Sequence, residues 1–83
     1  MRAFSTTRSF DDKLKKLDSS TKAKIIKRMQ KVVENPELGK PLHAPLTSHF
    51  SERIERYRII YTFNPEQVIF VYLDHRKKVY GKI

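Results

Sequence analysis

Two arginines near the C-terminal end lie within short apolar segments, where a charged side chain needs a specific reason. Arg58 stands in the segment YRIIY, residues 57–61, and Arg76 stands in the segment HRKKVY, residues 75–80. A strand with one buried face alternates apolar and polar residues, and a guanidinium group in such surroundings needs either water or an anion. The two segments therefore predict that Arg58 and Arg76 form the floor of an anion-binding site.

The neighbours of Arg76 have candidate roles in the same site. If the last segment is extended, residues 76, 78 and 80 point to one side, so Arg76, Lys78 and Tyr80 converge. Tyr80 then has two candidate roles. It either stacks on a nucleobase or acts as a general base whose pKa is lowered by the surrounding cations. His75 has the ordinary pKa best suited to proton transfer, but strand alternation points it to the other side.

The whole chain is strongly basic, with 18 Lys and Arg residues against 9 Asp and Glu residues and a net charge of +9 over 83 residues. Such a charge attracts polyanions, so nucleic acid is the first predicted partner and a strongly acidic protein is the second. The chain contains no cysteine, which excludes a disulfide framework and a thiolate zinc site. It also has no signal-peptide pattern and no apolar run of the roughly 20 residues that a membrane span needs. We expect a cytoplasmic protein with a single domain over residues 1–83 and no membrane partner.

The first half of the chain has the pattern of a short strand followed by two helices. Residues 2–6 are predicted to form an edge strand, and Thr7 or Ser9 is predicted to cap the first helix. Ser19 or Ser20 is predicted to cap the second helix, which ends at Asn35-Pro36. The apolar stripes that should face the core are Phe10, Leu14 and Leu17 in the first helix and Ala23, Ile26, Met29, Val32 and Val33 in the second.

The second half changes to a period of about two residues, which is typical of strands. Residues 36–45 hold three of the four prolines and are predicted to form a connecting loop. Three antiparallel strands are expected over residues 53–56, 57–63 and 68–74, with a turn at 64–67. The third of these strands is predicted to be central, and residues 77–82 are a candidate for a further strand.

This order of elements, together with three motifs, resembles the RelE/ParE toxin superfamily and in particular its RelE-type members. The motifs are Asn35-Pro36 followed by residues 39–42 (GKPL), the YRIIY segment and the HRKKVY segment. The resemblance covers nearly the whole chain. It implies an α+β fold of the order β-α-α-β-β-β, in which an N-terminal strand and a helical hairpin pack on a small antiparallel sheet.

The resemblance also implies an activity and a set of partners. RelE-type toxins of type II toxin–antitoxin systems are ribosome-dependent endoribonucleases that cut messenger RNA in the A site, whereas the ParE branch poisons DNA gyrase. Carried over by position, the catalytic residues are Arg58, Arg76, Tyr80 and Arg53, and the substrate-binding residues are Lys78, His75 and Lys77. The implied chemistry is metal-independent acid–base cleavage without a cofactor. The implied partners are a cognate acidic antitoxin, messenger RNA on the ribosome and ribosomal RNA.

The chain departs from the RelE pattern at two places. The second strand usually carries a pair of basic residues, but here Arg53 stands beside Ser51 and Glu52. The usual glycine before the Tyr-Arg motif is replaced by Glu55-Arg56. A ParE-like gyrase inhibitor and a catalytically weak nucleic-acid-binding relative therefore stay open, as does a structural role in which Arg58 pairs with Glu52, Glu55 or Asp74.

Overall fold

A computed structural model describes residues 2–42 and 48–75, and the strands within these ranges form one sheet in the order β1-β5-β4-β3-β2. The elements are β1 (Ala3–Thr6), α1 (Arg8–Lys15), α2 (Ser19–Glu34), β2 (Lys40–Pro41), β3 (Phe50–Ile54), β4 (Tyr57–Phe63) and β5 (Gln67–His75). The predicted α+β class, with two helices packed on the sheet, is confirmed. The sheet is mixed, because β1 pairs parallel with β5 while the other neighbours are antiparallel. Two parallel strands need a long crossover connection between them, and in this chain that connection begins with α1 and α2.

The two helices begin at side-chain caps. Thr7 caps α1, as predicted: its hydroxyl accepts a hydrogen bond from the Phe10 N–H at 3.2 Å and donates one to the Val71 carbonyl at 2.7 Å. The prediction of Ser19 or Ser20 as the cap of α2 is wrong, because the Asp18 carboxylate accepts from the Thr21 N–H at 3.1 Å. Hydrogen bonds from Thr21 lower the pKa of Asp18, as expected for an anion at the positive end of a helix.

The apolar stripe of α2 differs from the prediction in its first half. Met29, Val32 and Val33 are buried as expected, but the buried residue one turn earlier is Ile25, while Ile26 is 41% exposed. Side chains four positions apart share a helix face, so Ile25 lies beneath Met29 and Ile26 is turned to the flank. Ala23, also assigned to the stripe, is exposed.

The segment after α2 is more ordered than the predicted loop. Pro36–Leu38 form a 3₁₀ turn and Lys40–Pro41 form the short edge strand β2. The hydroxyl of Tyr61, which is fully buried, donates a hydrogen bond to the Pro36 carbonyl at 2.6 Å. A Cβ atom at Gly39 would lie 2.0 Å from the Tyr61 hydroxyl oxygen, so glycine permits this close approach.

The three predicted C-terminal strands are present with shifted ends. The β4 range coincides with the prediction, β5 is longer by one residue at each end, and β3 begins at Phe50 and ends at Ile54 rather than covering 53–56. Residues 55 and 56 instead form the β3–β4 turn, where Glu55 has a φ of 54°. The turn at 64–67 is confirmed, because the Asn64 side chain accepts from the N–H groups of Glu66 and Gln67. The candidate strand 77–82 lies outside the described residues.

The helices and one face of the sheet enclose the core. On the strands, every second residue points into the core, as Ile59 and Tyr61 do on β4 and Val68 and Phe70 on β5. These side chains pack against Phe10, Ile25 and Met29 from the helices. Within residues 2–42 and 48–75, neither helix has the length and apolar character that crossing a membrane requires.

Candidate anion-binding site

The alternation of the strands places the candidate arginines on the side of the sheet away from the helices. On β4, Ile59 and Tyr61 join the core beneath the helices, so Arg58 and Ile60 point to the opposite face. We call this side of the sheet the far face. The strand pairing adds to it, around Arg58, the residues Ser51, Arg53, Tyr72 and Asp74.

Arg53 and Arg58 are direct partners across the β3–β4 ladder. Residues paired in this way have Cβ atoms about 4.5–5.5 Å apart and point to the same face. Arg53 is exposed and Arg58 is half-buried. Two like charges in such positions repel each other, and an anion bound between them would remove that cost. The predicted pairing of Arg53 with Arg58 in one site is consistent with this register.

Asp74 stands on the other side of Arg58, as its direct partner across the β4–β5 ladder. The residue is 6% exposed. Its Oδ1 atom accepts a hydrogen bond from the His75 N–H at 2.7 Å, and its Oδ2 atom lies 3.5 Å from the Lys13 ammonium group. The Nε atom of Arg58 and the Oδ2 atom of Asp74 are both excluded from solvent. One buried carboxylate is thus flanked by two cations.

Lys13 is a site residue that sequence reasoning missed. Lys13 lies on α1 outside the apolar stripe of Phe10, Leu14 and Leu17, and the structure brings its ammonium group to Asp74. The contact joins residues far apart in the chain, and it depends on how α1 lies along β5. No local pattern in the sequence carries that information.

The other two carboxylates considered as partners of Arg58 are bound elsewhere. Glu52 points to the helix side and pairs with Arg28 at 2.5 Å. Glu55, in the β3–β4 turn, pairs with Lys24 at 3.2 Å. Glu52 and Glu55 therefore connect α2 to the β3–β4 hairpin, and the register of Arg53 with Arg58 is kept despite the missing glycine.

His75 does not join Arg58. It is the partner of Tyr57 in the ladder and lies on the helix side, with the two rings 6.2 Å apart in an edge-to-face arrangement. The prediction that His75 points away from Arg76, Lys78 and Tyr80 stays a prediction, because those three residues lie outside the described ranges. The remaining predicted site residues, Arg76, Lys77, Lys78 and Tyr80, lie outside the described residues.

A second group of cations approaches Arg53 from α2. A groove between α2 and β3 is lined by Lys24, Lys27, Arg28, Lys31, Arg53, Ile54 and Glu55. Residues three or four apart on a helix have Cβ atoms about 5–6 Å from each other, so the cations of α2 form a row along the groove. The groove therefore extends the positive surface of the arginine pair.

The described part of the site suits an anion with several oxygens. Lys13 and Arg58 flank the carboxylate of Asp74, and Arg53 adds a third positive charge as the cross-strand neighbour of Arg58. Arginine forks can meet two phosphate oxygens at once and keep their charge at every physiological pH. Among residues 2–42 and 48–75, no group of three or more His, Asp or Glu side chains is placed to hold a metal ion.

Comparison with protein families gives one match that spans nearly the whole chain. The model described as "ParE toxin of type II toxin-antitoxin system, parDE" matches residues 4–80. Among curated proteins, the chain is 34% identical over 80 residues to "Putative toxin RelE4" of Methanocaldococcus jannaschii, with 89% of this chain and 85% of that protein covered.

Comparison of the fold gives the same group of proteins. A chain of the toxin–antitoxin complex RelBE2 from Mycobacterium tuberculosis superposes with a TM-score of 0.80 and 28% identity, covering 90% of this chain and 91% of that chain. The isolated RelE toxin of E. coli superposes with a TM-score of 0.77 and 20% identity, covering 99% and 94%. The second likeness is one of fold.

Proposed function

The chain belongs to the family of ParE toxins of type II toxin–antitoxin systems, and on that premise we propose that it is a ribosome-dependent endoribonuclease. In this proposal the toxin cleaves messenger RNA in the ribosomal A site and thereby inhibits translation. The observation that carries it is the pairing of Arg53 with Arg58 on the far face, beside Lys13. The likeness to RelE-type proteins in sequence and fold supports the same assignment.

The proposed chemistry uses the RNA's own 2′-hydroxyl group as nucleophile. That group loses its proton, its oxygen attacks the phosphorus, and the departing 5′-oxygen takes up a proton. Negative charge grows on the phosphoryl oxygens between these steps. In this proposal Arg58 stabilises that charge and Arg53 holds the same or the adjoining phosphate, which their pairing across the β3–β4 ladder supports. Arg76 and Tyr80 keep their predicted catalytic roles, and Lys77 and Lys78 keep their predicted roles in substrate binding. His75, predicted to bind substrate as well, is left out of the proposed site because it lies on the helix side of the sheet, against Tyr57.

The experiment is to express the chain in cells and map RNA 5′ ends on translating ribosomes. Wild-type protein is expected to produce cuts within translated codons, with a phase set by the reading frame. The variant Arg58→Ala is expected to lose these cuts, and Lys16→Ala, which removes an exposed cation at the end of α1, is expected to keep them. Growth arrest without new RNA ends would refute the nuclease proposal.

A second candidate is inhibition of DNA gyrase, and the name of the matching family favours it. In that case the basic surface would contact gyrase or its DNA, and RNA would remain intact. A supercoiling assay with purified protein separates the two activities. Inhibition of supercoiling together with intact messenger RNA would replace the first proposal.

A third candidate is a relative that binds nucleic acid with little or no catalysis. The observation that favours it is the position of Asp74, whose buried carboxylate lies beside Arg58 and competes with a phosphate for the guanidinium group. In this case purified protein would bind RNA in a salt-dependent manner but leave programmed ribosomes uncut.

The proposed partner of the toxin is an acidic antitoxin, which the basic charge of the chain supports. The M. tuberculosis relative is likewise found in a toxin–antitoxin complex. An apolar groove between β1 and α2 is a suitable place for it, because Phe4 is 58% exposed and Ile26 is 41% exposed along its walls. The groove is completed by Arg2, Met29, Gln30, Val33 and Glu34. An amphipathic acidic segment would cover the apolar walls while its carboxylates meet the basic chain.

Co-expression with the neighbouring gene product tests this docking site. Ile26→Lys is expected to weaken the complex, since it places a charge in the apolar groove. Ala23→Lys, an exposed position of the same helix outside the groove, is the matched control and should leave the complex intact. Equal affinity of both variants would place the antitoxin elsewhere.

A further inference from the structure

Asp74 is a buried carboxylate that the proposed cleavage chemistry does not use. We propose that Asp74 is a positioning residue, whose carboxylate fixes the Arg58 guanidinium and the Lys13 ammonium group where the scissile phosphate is held. The link to catalysis rests on the proposed nuclease function. The ordering of the two cations does not, and it is open to measurement by itself.

The burial of Asp74 is the first argument. A carboxylate that is 6% exposed has lost most of its hydration, which is unfavourable unless neighbouring groups offset it. Here Lys13 lies 3.5 Å from Oδ2, and Arg58 is the direct cross-strand neighbour. The hydrogen bond from the His75 N–H to Oδ1 at 2.7 Å fixes the carboxylate's orientation. The anion is therefore held rigidly, and it can hold its cationic neighbours in turn.

The sign of the charge is the second argument. A carboxylate within a phosphate-binding surface opposes binding of the phosphate through direct repulsion. Its presence is favourable when it orders flexible arginine and lysine side chains before the substrate arrives, because that ordering otherwise costs free energy at the moment of binding. Two cations, Lys13 and Arg58, flank the one carboxylate, and Arg53 lies beside Arg58, so the cluster keeps an excess of positive charge.

The position of Lys13 on α1 links the helices to the candidate site. The lysine comes from α1, so its contact with Asp74 connects the helix side of the fold to the far face. Lys13 thereby becomes a predicted phosphate ligand that enters the site from an element outside the sheet. The structure adds Lys13 and Asp74 to the site as a pair, since each needs the other to be held in place.

The variant Asp74→Asn separates positioning from simple repulsion. It keeps the shape of the side chain and removes one negative charge, so affinity for a single-stranded RNA oligonucleotide should stay equal or rise. The single-turnover cleavage rate on programmed ribosomes should fall about 10- to 100-fold, because the cations are no longer held in the productive geometry. Glu66→Gln makes the same charge change in the exposed β4–β5 turn and is the matched control. If Asp74→Asn cuts as fast as wild type, the positioning role is refuted.

A second measurement does not depend on cleavage. In the NMR spectrum of the wild-type protein, the Nε–Hε signal of Arg58 should be resolved and slow to exchange with water, since that nitrogen is excluded from solvent. In Asp74→Asn the signal should broaden or exchange at least tenfold faster. An unchanged Arg58 signal would overturn the inference. Wild-type protein that fails to cut ribosome-bound RNA would refute the proposed function, while this signal would still decide the positioning.

Should Asp74→Asn fail to fold, as judged by circular dichroism, Lys13→Met tests the same pair. It should lower the cleavage rate about tenfold while the protein stays folded. Lys15→Met, an exposed position on the same helix, is its control and should match wild type. Equal rates for the two lysine variants would remove Lys13 from the site and with it the pairing proposed here.

Discussion

At the scale of single residues, the site is defined by two arginines that face each other across two strands. Arg53 and Arg58 are neighbours in the β3–β4 ladder, and their repulsion acts against the fold. Residues that bind a charged substrate are often arranged at some cost to stability, because the substrate supplies the missing charge. Substitutions in the pair are therefore expected to change stability and RNA binding in opposite directions.

Replacing Arg53 by Gln tests this opposition. The free energy of unfolding should rise by about 0.2–1 kcal/mol, because the cross-strand repulsion is removed. Affinity for single-stranded RNA should fall in the same variant. Urea unfolding and fluorescence anisotropy give the two values, and Lys16→Gln, at the exposed end of α1, controls for the loss of one charge. A variant that binds RNA as tightly as wild type would place the phosphate away from the pair.

The sequence predicted part of this site and missed part of it for a physical reason. The position of Arg58 on a short apolar strand could be assigned from the chain alone, because the YRIIY segment has the composition of a strand. The contact of Lys13 with Asp74 could not, since it depends on the packing of α1 along β5. Pairing between distant residues leaves no periodic signal in either segment.

At the scale of elements, apolar patterns that repeat over many residues predicted the helices and strands well. Single positions, such as a helix cap or the first residue of an apolar stripe, were predicted less well. The β4 strand and its position between two antiparallel neighbours agree with the prediction. The stripe of α2 was placed one residue late at Ile26, because Ile25 and Ile26 are adjacent and equally apolar. The Asp18 cap was missed because three suitable cap residues stand in a row.

The contact between Tyr61 and the Pro36–Leu38 turn gives a prediction about pH. Burial, with a contribution from the Glu52 carboxylate, raises the pKa of Tyr61 to about 12. The unfolded chain loses that proton near pH 10, so stability is complete below pH 10 and declines as pH rises towards 12. Tyr61→Phe should lose about 1–2 kcal/mol at neutral pH, with the hydrogen bond to Pro36, and should show a shallower decline in that range. Urea unfolding at pH 7 to 11.5 measures both, and an equally steep decline in the variant would contradict the assignment.

The β3–β4 turn carries backbone strain that a substitution can relieve. Glu55 has a φ of 54°, a left-handed conformation that costs an ordinary residue roughly 1–2 kcal/mol and that asparagine tolerates better. Glu55→Asn should therefore stabilise the protein by about 0.5 kcal/mol, after the loss of the exposed contact with Lys24. Glu55→Ala loses the same contact without relieving the strain and should be less stable than wild type. The order of the two thermal midpoints decides, and the reverse order would exclude strain at this turn.

At the scale of the whole molecule, part of the positive charge of the chain is gathered in the groove along α2 and on the far face. The groove with Lys24, Lys27, Arg28 and Lys31 on α2 leads to Arg53, and from there to Arg58 and Lys13 on the far face. The apolar groove of Phe4 and Ile26 lies between α2 and the edge strand β1. The basic surface for a polyanion and the apolar groove for a protein partner thus lie on different sides of α2.

The salt dependence of RNA binding measures how much of the basic surface is used. Log affinity should fall linearly with log salt concentration, with a slope of about −0.7 for each phosphate that is neutralised on a single strand. The double variant Lys27→Gln and Lys31→Gln should reduce the slope by about 1.4 if the α2 groove contacts phosphates. Lys15→Gln and Lys16→Gln, two exposed lysines at the end of α1, form the matched control. Equal slopes for both double variants would confine the RNA to the far face.

The most direct test of the proposed function is the single-turnover rate at which purified protein cleaves messenger RNA on programmed ribosomes, compared between wild type and Arg58→Ala. Wild type is expected to cleave in phase with the codons. The variant is expected to lose about 100-fold or more in rate, since a charged donor to the phosphoryl oxygens is removed while circular dichroism shows the fold unchanged. Cleavage by Arg58→Ala at the wild-type rate would contradict the proposal, because the far face would then not be where the RNA is cut.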